Sequence, residues 1–194
     1  GINVKKPYLR KNSNKNVILT LSNFAPRKGI IEYLNVIERV IKINSNVKFI
    51  IAGRDDMNGK VHQEIKNKNL EKFIETPGFV NQTSDLFKIS KIMVMPSLLP
   101  EGCPTSILEG MSWGKPSIGY NIEGLKELIV NNKTGYLLNK YDEKSMANCI
   151  LKLLNNPDLI EKLGYNAYKQ TKKKFTLNKM LYKHREFFNY FDIL

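Results

Sequence analysis

Residues 91–111 read KIMVMPSLLPEGCPTSILEGM and join a short apolar run, a turn rich in Pro and Gly, and the start of a helical pattern. The run at 91–95 is the most apolar strand-like stretch of the chain, and the helical pattern continues to residue 113. Pro104 stands where proline is common, at the first position of a helix. A buried strand that leads through a loop into a helix is the repeating unit of parallel α/β sheets, so this stretch predicts that class of fold.

The same alternation extends over most of the chain. Strand-like runs occupy residues 17–21, 47–52, 73–74, 116–118 and 135–138, and helical patterns occupy 30–41, 61–70, 84–89 and 125–130. A turn is expected at Pro77-Gly78, and Ser84 is expected to cap the helix that follows. After residue 138 only helical patterns remain, at 143–155, 158–175 and 177–190. The sequence predicts a doubly wound, Rossmann-like α/β fold, with a parallel sheet, helices on both faces and a helical C-terminal tail.

The composition restricts the class of protein less than the pattern does. The chain has 194 residues, of which 42% are hydrophobic, and its formal net charge is +13 with a pI near 9.6. That length predicts one globular domain. The pI lies in the range of nucleic-acid-binding proteins, yet the lysines are spread along the sequence, with one cluster at 172–174 and no interleaved aromatic residues. The charge therefore fits a solvated surface as well as a site for anionic lipid, nucleic acid or a phosphorylated substrate.

Three sequence features predict a cytoplasmic protein. No apolar stretch approaches the ~20 residues that span a membrane, and the N-terminus lacks the apolar core of a signal peptide. Only two cysteines occur, Cys103 and Cys149.

His62 and His184 are isolated and the cysteines lie far apart in the sequence, so no metal site is expected.

The loop at 22–29, SNFAPRKG, joins the first predicted strand to the first predicted helix. It offers Ser22, Asn23, Arg27 and Lys28 together with the free amides of a helix start, a combination that suits a phosphate group. Its spacing matches neither the P-loop nor G-x-G-x-x-G. A solvated basic loop is an equally open interpretation of these residues.

Two further loops carry glutamates. Glu101 and Glu109 have seven residues between them and lie around the loop that follows the most apolar strand, where ligands of open α/β sheets collect. Helix amides suit an anion and carboxylates suit hydroxyl groups, and a sugar nucleotide carries both. The alternative is that Glu101 is a turn residue and Glu109 an exposed helix residue. In the third loop, at 120–129, Gly124 is at a turn and Glu127 could simply complement the helix dipole.

Several short motifs around these loops belong together. EGCP at 101–104 and EGMSWGKP at 109–116 resemble the E-G-x-P and E-A-M-x-x-G-x-P motifs of the retaining glycosyltransferases of family 4, in the GT-B superfamily, also described as glycosyl transferases group 1. Further pieces are similar to motifs of the same family: PGFV at 77–80, PS at 96–97, EGLKE at 123–127, NKTGY at 132–136 and KFT at 174–176. The resemblance runs from residue 16 to the C-terminus and identifies the chain as a C-terminal, donor-binding domain of this family.

This resemblance implies roles for individual residues. Lys28 would bind the donor diphosphate, Glu109 would hold the ribose hydroxyls and Glu101 would face the donor sugar, so that Glu101 and Lys28 are the catalytic candidates. The other residues expected to contact the donor are Ser22, Asn23, Arg27, Phe79, Val80, Gly102, Cys103, Pro104, Thr105 and Ser106, with Phe79 and Val80 beside the base. Ser22-Asn23 stands where the family usually has Gly-Arg, so either Arg27 replaces that arginine or Lys28 acts more alone. Glu123 stands where the family has a glycine that approaches the sugar.

The resemblance also implies a division of the chain, because GT-B enzymes consist of two Rossmann-like domains. Residues 1–15 would be an interdomain linker and residues 16–175 the nucleotide-sugar-binding domain. Residues 176–194 would form a helix that crosses back to an N-terminal acceptor domain, which is expected to be missing from this chain. Without that domain, Leu181, Phe187 and Phe188 are expected to lose their partner or to repack, and the fragment alone is expected to be inactive.

The implied reaction is transfer of a hexosyl unit from a nucleoside diphosphate sugar, of UDP or GDP type, to an acceptor hydroxyl with retention, without a cofactor or metal. The expected acceptor is a cell-surface polysaccharide such as a capsule, or a lipid-linked glycan, bound through the missing domain. Peripheral contact with the inner face of the cell membrane is expected as well. The alternatives are a GT-B sugar-nucleotide epimerase or phosphorylase, or a non-catalytic nucleotide- or nucleic-acid-binding module. A nucleic-acid partner is not expected, because a polyanion site would not place Glu101 and Glu109 at its mouth.

Overall fold

A computed structural model describes residues 1–4 and 16–190 of the chain. Six parallel strands form one sheet in the order β3-β2-β1-β4-β5-β6. The strands are β1 Val17–Leu21, β2 Lys48–Ala52, β3 Ile74–Gly78, β4 Ile92–Met95, β5 Ser117–Tyr120 and β6 Gly135–Leu138. The direction of strand addition reverses between β1 and β4, so this pair is the switch point of a doubly wound sheet.

Helices connect the strands and then continue the chain. They are α1 Ile30–Ile43, α2 Lys60–Asn67, α3 Ser84–Ile89, α4 Thr105–Ser112, α5 Leu125–Leu128, α6 Glu143–Leu154, α7 Pro157–Lys174 and α8 Leu177–Tyr190, and a 3-10 turn at Pro26–Lys28 precedes α1. Helix α1 packs against α2 and α6, whereas α4 packs against α7. Because right-handed crossovers leave the switch point in opposite directions, the helices cover both faces of the sheet. The predicted fold class is confirmed.

The two central strands lie in the middle of the hydrophobic core. All four residues of β4 are buried, and in β1 only Leu21 at the carboxyl end is partly exposed. This continuous burial is typical of parallel strands covered by helices on both faces. Full burial of an aliphatic side chain contributes ~1.5–3 kcal/mol. The sheet therefore holds the carboxyl ends of β1 and β4, and the loops that leave them, on a rigid support.

Three local predictions about helix and strand ends are wrong. Pro77-Gly78 is not a turn but the end of β3, because Gly78 still pairs with Ala52 after a register shift in β2. Pro104 is the N-cap of α4 rather than its first helical residue, since its ψ of 98° is extended. Ser84 is the first residue of α3 and Thr83 is its N-cap, with no side-chain capping bond.

The described N-terminal residues pair with the segment that joins α7 to α8. The amide of Ile2 donates to Phe175 O at 2.9 Å, and the amide of Leu177 donates to Ile2 O at 3.0 Å. The rest of the predicted linker, at 5–15, lies outside the described residues, as do residues 191–194 of the predicted terminal helix. Beyond Met180 every described residue of α8 is exposed, including the apolar Leu181 and Phe188. Within residues 1–4 and 16–190, the helices are all too short or too polar to cross a membrane.

Candidate active site

The loop that follows β1, at 22–29, meets the loop that follows β4 at the switch point. The amide of Leu98 donates to Arg27 O at 2.9 Å, which ties the loop after β4 to the turn before α1. Gly29 sits at the contact with a φ of 65°, and a Cβ there would lie 2.2 Å from Pro96 O. A side chain at this position would force the two loops apart. The local sequence therefore fixes Lys28 against the loop that carries Glu101.

The third candidate loop is attached to the second. The amide of Glu101 donates to Glu123 O at 3.1 Å. Gly124 follows with a φ of 82°, and a Cβ there would lie 2.1 Å from Glu101 O. The loops that follow β1, β4 and β5 thus form one connected edge of the sheet, with Glu101 at its centre.

A cavity of about 240 Å³ opens on this edge. Seven of the residues that are predicted to contact the sugar donor line it: Ser22, Asn23, Phe79, Val80, Thr105, Ser106 and Glu109. The remaining walls are Leu21, Ala52, Gly53 and Thr83. Sites for drug-sized ligands usually measure roughly 300–1,000 Å³, so this cavity is slightly smaller than a typical ligand site. Phe79 is 63% exposed and forms an open rim.

Glu109 accepts a hydrogen bond from Thr83, a residue for which the sequence predicted no role in the site. The hydroxyl of Thr83 donates to Glu109 Oε2 at 3.3 Å, across the cavity wall between the loop before α3 and the second turn of α4. A threonine just before a helix is a capping signal in sequence, and here its hydroxyl bonds to a carboxylate instead of to its own helix.

Asn23 supports neighbouring loops as well as lining the cavity. Its Oδ1 accepts a hydrogen bond from the amide of Arg54 at 3.1 Å, and its Nδ2 donates to Asp56 Oδ2 at 3.4 Å. The amide of Phe24 also donates to Arg54 O at 2.8 Å. These bonds hold the loop after β1 against the loop after β2. The polar groups of Asn23 are therefore engaged with protein, and its predicted contact with a donor remains a prediction.

A cluster of charges lies beside the residues that line the cavity. Glu101 Oε1 lies 2.6 Å from Lys28 Nζ and 3.4 Å from an Arg27 guanidinium nitrogen, and it accepts a hydrogen bond of 2.7 Å from Ser97 Oγ. The Lys28 and Glu101 side chains are only 13% and 10% exposed, whereas that of Arg27 is 51% exposed. Arg27 therefore contacts the cluster from its solvent side.

The cluster keeps the Glu101 carboxylate ionised at neutral pH. Burial raises the pKa of Glu101, but hydrogen bonds from Lys28 and Ser97 and the charges of Lys28 and Arg27 together lower it below the ordinary value of 4.5. Ionised Glu101 and the Lys28 ammonium thus form a charge-assisted pair. The predicted phosphate ligand and the predicted sugar-facing carboxylate are in direct contact.

The remaining candidates occupy the loop between these two groups. Gly102 and Cys103 are exposed, with open space around Gly102, and Pro104 is buried beneath them. Lys28, Arg27 and Glu101 do not line the cavity of about 240 Å³. The structure therefore divides the predicted residues into a polar cavity and an adjacent cation–carboxylate cluster, both at the carboxyl edge of the sheet.

The fold and this edge define a Rossmann-like α/β domain with its candidate site at the switch point. The model of the family described as glycosyl transferases group 1 matches residues 2–170. The chain belongs to this family of glycosyltransferases, and the resemblance found in its motifs is confirmed.

Two curated relatives illustrate the similarity. A poly(ribitol-phosphate) α-N-acetylglucosaminyltransferase of Staphylococcus aureus (strain COL) is 31% identical over 170 residues, which is 87% of this chain and 34% of the relative. An N-acetyl-α-D-glucosaminyl L-malate synthase of Bacillus anthracis is 25% identical over 191 residues, or 98% of this chain and 49% of the relative. The chain thus spans between a third and a half of the length of these two relatives.

Solved structures agree with the fold. TarM of S. aureus, crystallised as a point mutant in complex with fondaparinux, α-GlcNAc-glycerol and UDP, superposes with a TM-score of 0.89 at 28% identity, over 97% of this chain and 38% of TarM. The C-terminal domain of the group 1 glycosyl transferase LpcC of Francisella tularensis gives a TM-score of 0.77 at 20% identity. It is covered over 97% of its length by 90% of this chain, which shows the same fold in an isolated domain.

Proposed function

We propose that the chain is the donor-binding domain of a hexosyltransferase that moves a sugar from a nucleoside diphosphate sugar to an acceptor hydroxyl with retention of configuration. The observation that carries this proposal is the cavity at the switch point, whose walls include seven residues with a predicted donor role. The cation–carboxylate cluster beside it supplies charges suited to a diphosphate and a sugar. Membership of the glycosyl transferases group 1 family supports the same class of reaction.

In the proposed complex the nucleoside enters the cavity, with Phe79 and Val80 beside the base. Glu109 accepts hydrogen bonds from the ribose hydroxyls, and Thr83 holds its carboxylate in place. The diphosphate extends to Lys28, and the sugar lies near Glu101 and the amides of residues 102–106. This order follows the edge of the sheet from the cavity to the cluster.

Lys28 and Arg27 stabilise the negative charge that develops on the leaving diphosphate. Stabilisation of developing charge by preorganised groups usually supplies the largest part of a catalytic effect. Lys28 is better suited than Arg27 to this role because its side chain is only 13% exposed, and charge interactions are stronger away from water. We further propose that transfer needs no metal cofactor, so that EDTA leaves the rate unchanged.

UDP is the first donor nucleotide to test. TarM, at 28% identity, has been crystallised in complex with UDP. Cell-surface polymers and lipid-linked glycans are the proposed acceptors, because relatives include the poly(ribitol-phosphate) transferase and an Escherichia coli enzyme that acts on a diphosphoundecaprenol-linked sugar. The acceptor would be bound by a further domain, since the chain spans only 34% and 40% of these two relatives. The proposed location is the cytoplasm, with peripheral contact at the inner face of the membrane.

A thermal-shift experiment on this chain with UDP, GDP, ADP and a short DNA duplex tests the proposal. A ligand at 100 times its Kd stabilises by ~2.7 kcal/mol, which raises the Tm of a chain of this size by roughly 5–11 °C. A rise with at least one nucleoside diphosphate and none with DNA is expected. If DNA raises the Tm and no nucleoside diphosphate does, the donor-domain proposal is wrong.

A further inference from the structure

Three hydrogen-bond donors converge on one oxygen atom of the charge cluster. Lys28 Nζ, Ser97 Oγ and an Arg27 guanidinium nitrogen lie 2.6, 2.7 and 3.4 Å from Glu101 Oε1. Ser97 is completely buried and lies two residues after the end of β4, a central strand of the sheet. Its hydroxyl therefore holds the same carboxylate oxygen that Lys28 contacts from the loop after β1.

This arrangement gives Lys28 an anionic partner before any ligand is present. The pair is mostly withdrawn from water, so it differs from an exposed surface ion pair, whose contribution is small. A partly buried ammonium without a partner would carry a desolvation cost, and attraction to the Glu101 carboxylate offsets part of that cost. The same carboxylate repels a second anion that approaches Lys28.

We propose that Glu101 is a resident counter-anion of Lys28, held there by Ser97 as a positioning residue, and that the donor diphosphate binds by displacing this carboxylate from the ammonium. This inference rests on the proposed function, because it requires that Lys28 is a diphosphate ligand. Exchange of one anion for another keeps Lys28 neutralised in both states. It also couples the position of Glu101, which faces the sugar, to the presence of the diphosphate.

The exchange has a consequence for the product. After transfer, the nucleoside diphosphate leaves Lys28 and the Glu101 carboxylate returns to it. The carboxylate thus competes with the product for the same cation and promotes its release. Removing the negative charge of Glu101 is expected to tighten diphosphate binding, which is the opposite of what loss of a simple donor-contacting residue would do.

The test is calorimetric titration of the 194-residue chain with UDP, comparing the wild type with Glu101→Gln. We expect the Kd of the variant to fall about tenfold, since hydrogen bonds to charged groups contribute ~1.5–3 kcal/mol. Glu38→Gln is the matched control: Glu38 also pairs with two cations, Lys42 at 2.7 Å and Lys68 at 3.2 Å, but on α1 away from the site. Its Kd should stay within about twofold of the wild type, because the carboxylate that it removes neither lines the cavity nor contacts Lys28. An unchanged or weaker affinity in Glu101→Gln overturns the inference.

Uridine separates diphosphate exchange from a general effect on the cavity. It lacks the phosphates, so Glu101→Gln should leave its binding unchanged in ligand-observed NMR. Equal tightening of uridine and UDP would contradict the exchange.

A double-mutant cycle tests the role of Ser97. Ser97→Ala removes one of the three donors to Glu101 Oε1 and should tighten UDP binding about threefold in the wild-type background, the effect of roughly one neutral hydrogen bond. The same substitution should have no effect in the Glu101→Gln background, because the charge that Ser97 positions is gone. Equal effects in both backgrounds would show that Ser97 does not act through Glu101. If Ser97→Ala does not fold, Ser97→Cys replaces it, because the thiol has a similar size and is a much weaker hydrogen-bond donor than the hydroxyl.

The outcomes also separate this inference from the proposed function. If the wild-type chain binds none of UDP, GDP and ADP, the proposed function fails and the exchange fails with it. If the wild type binds UDP and Glu101→Gln does not tighten it, the donor-binding function stands and only the exchange is wrong.

Discussion

The hydroxyl of Thr83 donates to Glu109 Oε2 at 3.3 Å and so joins the start of α3 to the second turn of α4. Both residues line the cavity at the switch point, and both also line a neighbouring cavity of about 280 Å³ that reaches Trp113 and the described N-terminal residues. The pair stands where the two cavities adjoin. The hydrogen bond from Thr83 orients the carboxylate of Glu109, the residue proposed to bind the ribose hydroxyls.

The first prediction concerns Thr83. Thr83→Val keeps the shape of the side chain but removes the donor, so Glu109 loses its brace and UDP should bind about fivefold more weakly, the loss expected for ~1 kcal/mol. Thr83→Ser retains the hydroxyl and should bind UDP within about twofold of the wild type. Calorimetric titration measures both. Equal weakening in the two variants would mean that packing of the Thr83 methyl group, not its hydroxyl, supports the site.

The second prediction concerns Glu109 itself. Glu109→Ala should weaken UDP binding by roughly 10- to 100-fold, because hydrogen bonds from hydroxyls to a carboxylate contribute ~1.5–3 kcal/mol. The Tm without ligand should stay within about 1–2 °C, because the side chain is partly exposed and not part of the core. Titration with 2′-deoxy-UDP provides the control: this ligand lacks one ribose hydroxyl, so the substitution should cost it less affinity. An equal loss of affinity for both nucleotides would mean that Glu109 does not contact the 2′-hydroxyl.

The third prediction concerns Lys28. Lys28→Met retains much of the apolar stem and removes the charge, so UDP should bind at least about tenfold more weakly. Uridine should be unaffected because it carries no phosphate. Lys42→Met, which breaks the pair with Glu38 on α1, is the matched control and should leave UDP binding unchanged. If Lys28→Met and Lys42→Met bind UDP equally well, the diphosphate lies elsewhere on the protein.

The lowered pKa of Glu101 predicts how stability depends on pH. Because its pKa is lower in the folded chain than the ordinary value of 4.5, the ionised carboxylate stabilises the fold fully above that value. This stabilisation is lost as the pH falls through the folded-state pKa. The Tm of Glu101→Gln should therefore lie below that of the wild type at pH 7, and the difference should shrink below pH 4.5. Differential scanning calorimetry at several pH values measures this difference, in which the other carboxylates cancel. A difference that is constant from pH 7 to below 4.5 would contradict the account of the ion pair.

The sequence predicted the fold and the residues around the cavity better than it predicted their contacts. Apolar strands that alternate with helices determine a doubly wound sheet, and the switch point then brings Ser22, Phe79 and Glu109 to one edge. The pairing of Lys28 with Glu101 depends on how two loops meet, which is set by Gly29 against Pro96 and not by local propensity.

Two contacts show why individual partners could not be read from local sequence. Thr83 precedes a helix and would ordinarily bond to that helix, but its hydroxyl contacts a neighbouring element instead. Ser97 lies within a recognised motif, yet the partner of its hydroxyl is known only once the loop after β4 is folded back on itself. Pro77 and Gly78 are turn residues by propensity, but pairing with β2 places them at the end of β3, where Gly78 has a φ of 74°.

The last prediction concerns the basic surface near the C-terminus. No Asp or Glu occurs between residues 162 and 185, a stretch whose cations are Lys162, Lys169, Lys172, Lys173, Lys174, Lys179, Lys183 and Arg185. Helix α8 adds exposed apolar side chains, with Leu181 55% and Tyr182 63% exposed. Basic residues near a membrane surface contribute about 1 kcal/mol each with anionic lipid, and exposed apolar residues on a helix add to this. We expect the chain to co-sediment with vesicles that contain phosphatidylserine, and not with vesicles of phosphatidylcholine alone.

Charge reversal at two sites distinguishes membrane association through a specific surface from association driven by the net charge of the chain. Substituting Glu for Lys172, Lys173 and Lys174 together should abolish co-sedimentation, because it inverts the densest part of the basic stretch. Substituting Glu for the exposed Lys60, Lys66 and Lys72 changes the net charge by the same amount at another place and should leave most of the binding intact. Equal losses in the two triple variants would mean that the overall charge of +13 drives the association and that no dedicated surface exists. Retained binding in both would assign the contact to the apolar residues of α8, which Leu181→Ser would then remove.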